Sequence, residues 1–153
     1  MVAPRGEKAY ERHAWLVFFV FGLLAVISSP IGLLGMPPNP PSPVITTGLS
    51  LDEMAARIPG ILDYIGGISR QLGNFMLATG VMLTGIAAVP YRKGERWAWY
   101  VAWILPVVLI IQIANSLPTG GYLVELDLAF LPVALAGLFL PYRKFFPKQQ
   151  AGS

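Results

Sequence analysis

Six side chains in this sequence pair a polar group with a place inside or beside a long apolar run: Arg70, Asn74, Gln112, Asn115, Glu125 and Asp127. A carboxyl among amides, with one guanidinium nearby, has the chemistry to hold an amphipathic molecule and to pass a proton to it. Arg70 and Asn74 are four residues apart and share a helix face, as do Gln112 and Ser116. Glu125 and Asp127 are two apart, so on a helix they point roughly 200° away from each other and cannot both enter one pocket. Arg70 is the only cation near that end of the apolar runs, so an ion pair with Glu125 or Asp127 is expected, or with Asp63 if the preceding loop folds back. The ligand-site reading is therefore an outer-leaflet cleft for a lipid, a quinone or another small amphipathic molecule. The competing reading, which we prefer, is structural: the charges reach headgroups and water, and the amides tie helices together.

Other chemistry finds little support. The absence of cysteine removes disulfides, thiolate catalysis and iron–sulfur ligation. His13 is the one histidine, too few for bis-histidine haem and short of the several ligands a zinc site needs. The sequence contains no glycine-rich phosphate loop, and no Ser/His/acid set falls on one side of the apolar runs. No catalytic residue, metal or cofactor is expected.

The elements that carry these residues are set by composition. A soluble domain has roughly 25% charged residues, whereas these 153 residues are 12% charged and 55% hydrophobic, with a mean hydropathy of +0.61. So few charges cannot cover a water-exposed surface, and lipid must solvate part of the chain. A hydrocarbon core needs about 20 apolar residues per helix. Four runs qualify, at about 14–35, 67–89, 97–117 and 122–140. The first continues past Pro30, too far for the core of a signal peptide, and is read as a retained span. The expected fold is an all-α membrane protein, a single domain over 1–153 built as a four-transmembrane-helix bundle.

The net charge of +3 does not point to nucleic acid, because the basic residues fall in short clusters beside the spans. Arg5, Lys8 and Arg12 precede the first span, Arg92, Lys93 and Arg96 separate the second from the third, and Arg143, Lys144 and Lys148 follow the fourth. The positive-inside rule then puts both termini in the cytoplasm. Trp97, Trp99, Tyr100 and Trp103, beside the central cluster, are expected to form an interfacial aromatic belt.

The outer loop, 36–66, begins with a proline run that should be extended. Ser50-Leu51-Asp52-Glu53 has the form of a capping box opening a short helix, and Pro59 suits the first turn of the next. Leu51, Met54, Ile58, Ile61, Leu62 and Ile65 are too apolar for a free loop and should lie on the outer surface or over the bundle mouth. Pro90-Tyr91-Arg92-Lys93 and Pro141-Tyr142-Arg143-Lys144 end the second and fourth spans alike; we read them as convergent stop signals with an interfacial tyrosine. Gly22, Ala25, Ser29 and Gly32 in the first span, and Gly73, Gly80, Thr84 and Ala87 in the second, are spaced for close helix packing.

The turn from Pro90 to Trp99, and the stretch from Gly48 to Arg57, resemble those of small bacterial four-helix membrane proteins, DoxX-like in general plan. The resemblance covers about a third of the chain; it implies a compact bundle in a bacterial plasma membrane and brings no catalytic residues. A sterol-isomerase-like four-helix fold is a more distant comparison, in which Glu125 or Asp127 would have to supply the in-membrane acid. The leading expectation is a non-enzymatic accessory or scaffold subunit, with the lipid bilayer and other membrane subunits, or a second copy, as partners. The alternative is a lipid-, quinone- or amphiphile-binding protein or lipid-modifying enzyme. A small dimeric transporter comes third, weakened because the first span has no charge at mid-depth.

Overall fold

In a computed structural model of the protein, residues 9–36, 47–117 and 123–147 are described. These residues are helical apart from short turns. They form α1 (Ala9–His13), α2 (Trp15–Leu33), α3 (Leu51–Arg57), α4 (Ile61–Ile86), a π-helical turn (Ala87–Tyr91), α5 (Arg96–Ala102), α6 (Ile104–Ser116), α7 (Leu123–Phe139) and α8 (Tyr142–Phe145). Four continuous stretches are long and apolar enough to cross a membrane: Tyr10–Leu33, Ile61–Tyr91, Arg96–Ser116 and Val124–Phe145. The expected four-span, all-α bundle is present. Its second span starts at Ile61 rather than near 67, so the last part of the expected outer loop is helix. Gly60, with a positive φ of 82°, is its N-cap, and Pro59 therefore precedes the helix instead of sitting in its first turn. The proline run of the outer loop lies outside the described residues.

Proline sets most of the helix boundaries, because it removes one N–H from the ladder. At Pro90 the ladder widens: Arg92 N–H reaches back to the carbonyl of Ala87 and forms the π turn. Pro106 lies in the first turn of α6, just after the break at Trp103. Pro30 lies inside α2 and deprives the Val26 carbonyl of its usual donor. The Ser29 hydroxyl donates to that carbonyl at 2.8 Å, one of the ways membrane helices restore a freed backbone group. α2 ends at Gly35 (φ 72°) in a Schellman pattern, Gly35 N–H to Gly32 O at 2.7 Å and Met36 N–H to Ile31 O at 3.2 Å.

α2 packs on α4 along its length, and α6 packs on α7 as an antiparallel hairpin; the contact between α2 and α7 is thinner. The α2–α4 seam is made by small residues. A Cβ placed on Gly32 would lie 2.8 Å from the Gly73 Cα, and one on Gly80 would lie 2.8 Å from the Gly22 carbonyl oxygen. Ser29 and Ser69 are buried in the same seam, so the expected small-residue faces do form the contact, although Ala25 is only half-buried.

The hydrophobic core sits at the basic end, where Phe18, Leu83, Ala87, Tyr91, Ala98, Trp99, Ala102, Leu138 and Phe145 pack together. Contacts there bring the basic clusters to one end of the bundle: Arg92 lies over the Trp15 ring at 5.1 Å, and Arg96 Nε donates to the Phe145 carbonyl at 3.2 Å.

Candidate functional site

The core explains two aromatic side chains whose roles differ from expectation. Pro141 has no N–H for the carbonyl of Gly137, and the break that follows removes the usual donor from Leu138. Tyr91 donates its hydroxyl to the Gly137 carbonyl at 2.7 Å, and Trp99 Nε1 donates to the Leu138 carbonyl at 3.0 Å. Tyr91 is therefore a buried tie, set between the rings of Phe18 and Phe145 at 5.0 and 4.7 Å, and not an interfacial anchor. Its counterpart Tyr142 is 46% exposed and stacks on Phe146 at 4.9 Å. The two Pro-Tyr-Arg-Lys endings thus do different work. The belt is likewise divided: Trp97 and Tyr100 are exposed, whereas Trp99 is buried.

At the opposite end lie the six polar candidates. Five of them, Arg70, Asn74, Gln112, Asn115 and Glu125, are exposed on the protein surface, and Asp127 alone is buried. The opposed directions expected for Glu125 and Asp127 are present. Asp127 heads a stripe on α7 that continues at Ala134 and Leu138, all buried. Its Oδ2 has no hydrogen-bond partner among the described residues. Gln112, Asn115, Glu125 and Asp127 belong to one hairpin. Arg70 and Asn74 belong to α4, which packs on the other flank of α2 and makes no comparable interface with α6 or α7. The bundle order thus separates the six into two groups.

Arg70 makes no ion pair with Asp63, Glu125 or Asp127, which corrects the expected pairing. Instead its guanidinium reaches back over the end of α2, where a Cβ on Gly35 would come within 2.8 Å of Nε. A cation at a helix C-terminus is favoured by the partial negative charge of the unpaired carbonyls. Of the two positions expected for the outer segment, the one over the bundle mouth is not taken. α3 packs against the start of α4, and Ile58 and Leu62 remain exposed there. A shallow hollow of about 280 Å³ at this junction is lined by Ala55, Ile58, Ile61 and Asp63 among others, and includes none of the six candidates.

The capping box is formed as read: Ser50 N–H donates to the Glu53 carboxylate at 2.7 Å, and Glu53 N–H donates to the Ser50 hydroxyl at 3.2 Å. These two bonds, the one from the Ser50 backbone first, hold the Glu53 carboxyl below its ordinary pKa. Among the described residues no cluster of three or more His, Cys, Asp or Glu side chains is arranged to hold a metal. The hydroxyl of Ser29 and the ring donors of Tyr91 and Trp99 had no functional signature in the sequence. The proline at 30 or 141 signals a carbonyl short of a donor, but the donor to 137 and 138 comes from 46 and 39 residues away. No protein-family model, curated protein or solved structure matches this chain.

Proposed function

We propose that this chain is a non-enzymatic accessory or scaffold subunit of a membrane complex, seated in a bacterial plasma membrane and joined to its neighbours through amide-bearing helix faces. The observation that carries this reading is the direction of the amides. Gln71 and Asn74 on α4, and Gln112 and Asn115 on α6, are exposed on the outside of the bundle, the α6 pair near the end of its span and the α4 pair towards the middle of its own. Amides on a lipid-facing helix bond across to another helix, at about 0.6 kcal/mol each on average. Four polar groups of the interior are already committed to this chain's own backbone: Ser29, Thr84, Tyr91 and Trp99 all donate to main-chain carbonyls. Native mass spectrometry of the protein extracted in mild detergent from its own membranes tests the proposal. Co-purifying membrane subunits or a second copy are expected, and Asn74→Leu with Gln112→Leu should release them. A lone chain in both samples defeats the proposal.

A second reading, an outer-leaflet site for a lipid, quinone or other amphiphile, is favoured by Asp127, a buried acid whose Oδ2 lacks a partner. An ionisable group inside a membrane span is costly, and such groups commonly mark function. Asp127→Asn should then change the set of small molecules retained on purification. Identical sets in wild type and variant would retire this second reading.

A further inference from the structure

α2 turns one flank to α4 and leaves another facing α7 across a groove. Val17, Val20, Phe21 and Leu24 form one wall, Phe130 and Val133 the other, and every lining side chain is apolar. The groove has a volume of about 370 Å³. Its shape follows from two contacts. At Gly137 the missing Cβ admits Val17 and Phe18, at 3.0 and 3.1 Å from where that Cβ would lie, and Phe21 meets Phe130 edge-on at 5.2 Å. The helices touch at these points and leave a channel beside them that opens sideways, with Val20, Leu24 and Val133 still exposed.

We propose that this groove holds one acyl chain of a phospholipid from the cytoplasmic leaflet. The groove starts at Leu16, one turn inside Arg12 and His13, and ends at Leu24, near the middle of the span. Eight residues of helix cover roughly 12 Å, against about 15 Å for one leaflet of hydrocarbon. A partner transmembrane helix would follow the full thickness, whereas the groove stops near mid-span. The terminal segments 1–8 and 148–153 carry Arg5, Glu7, Lys8, Lys148 and Gln149, side chains whose charges and amide do not suit an apolar channel. An empty apolar channel would forfeit the dispersion contacts of its walls, and a lipid chain restores them. The positive-inside rule assigns the leaflet, because the groove runs from Leu16 to Leu24 and so lies towards the basic end of the first span. The site is independent of the subunit role proposed above.

The test uses the full chain in lipid nanodiscs with phosphatidylglycerol bearing a photoactivatable diazirine in one acyl chain, followed by peptide mapping. Val17–Leu24 and Phe130–Val133 are expected to take several-fold more label than Val107, Val108 and Ile111, which are about as exposed on α6. A diazirine at the chain end should mark Leu24 and Phe130, and one near the ester should mark Leu16 and Val17. Val20→Trp with Val133→Trp fills the groove and should abolish the enrichment, whereas Val107→Trp should leave it intact; Val20→Phe alone serves if the double variant misfolds. Equal labelling of both faces, reversed depth order, or cross-links from the groove to a second copy would each overturn the proposal.

Discussion

Replacing Gly73 by alanine is the sharpest test of how the first two spans are held together. A Cβ at Gly73 would collide with the Leu33 amide nitrogen and lie 2.7 Å from the Gly32 carbonyl carbon. Both are backbone atoms of α2, so neither can rotate away. Ordinary contact for such atoms is about 3.5 Å, and relief requires α2 and α4 to separate by roughly 1 Å. A gap of that size forfeits a quarter to a half of each dispersion contact across the seam. In lipid no hydrophobic effect between helices replaces the loss. Overpacking of this kind costs about 1–3 kcal/mol, against a helix-propensity gain of about 1 kcal/mol for Gly→Ala. Gly85 supplies the control, because a Cβ there meets nothing within 4 Å. Gly73→Ala should therefore be destabilised relative to Gly85→Ala by about 1–3 kcal/mol in reversible denaturation in mixed detergent micelles. Equal stability of the two variants would refute the close-approach account of the seam.

Tyr91→Phe should cost about 1–3 kcal/mol by stranding the Gly137 carbonyl. In a Pro141→Ala background the chain regains its own N–H, so the same change should cost less, with a coupling of about 0.5–3 kcal/mol in a double-mutant cycle; strict additivity counts against the proline explanation. Because the Glu53 carboxyl is held below its ordinary value of 4.5, its bonds stabilise α3 fully above that pH and are lost as the pH falls through the lower folded value. The protection of the Met54 and Ile58 amides, taken against their intrinsic exchange rates at each pH, should therefore fall on acidification, and Glu53→Gln should abolish that response. Reporter fusions after Gly94 and Gln150 should read as cytoplasmic and those after Pro43 and Gly120 as external; an external signal at Gly94 overturns the span count.

Residue order alone determined what depends on runs and local spacing. The length of each apolar stretch gave the four spans, because every backbone polar group in hydrocarbon must be paired within its own helix. The capping box was legible because both of its bonds join residues three apart, and the opposed directions of Glu125 and Asp127 follow from helical pitch. The glycine spacing in the first two spans signalled close packing, since only a missing side chain lets backbones meet. Which helices are neighbours was decided by tertiary structure, and that decision governs the candidate site. The six polar residues share one end of the bundle in the sequence, yet α2 lies between α4 and the hairpin of α6 and α7 and keeps Arg70 and Asn74 from Glu125 and Asp127. Identical Pro-Tyr-Arg-Lys endings received opposite burial for the same reason. Tyr91 faces a carbonyl released by Pro141, whereas Tyr142 follows the break and turns outward. Helix spacing in lipid is set by shape and by individual hydrogen bonds, and both depend on side chains that meet only once the bundle has assembled.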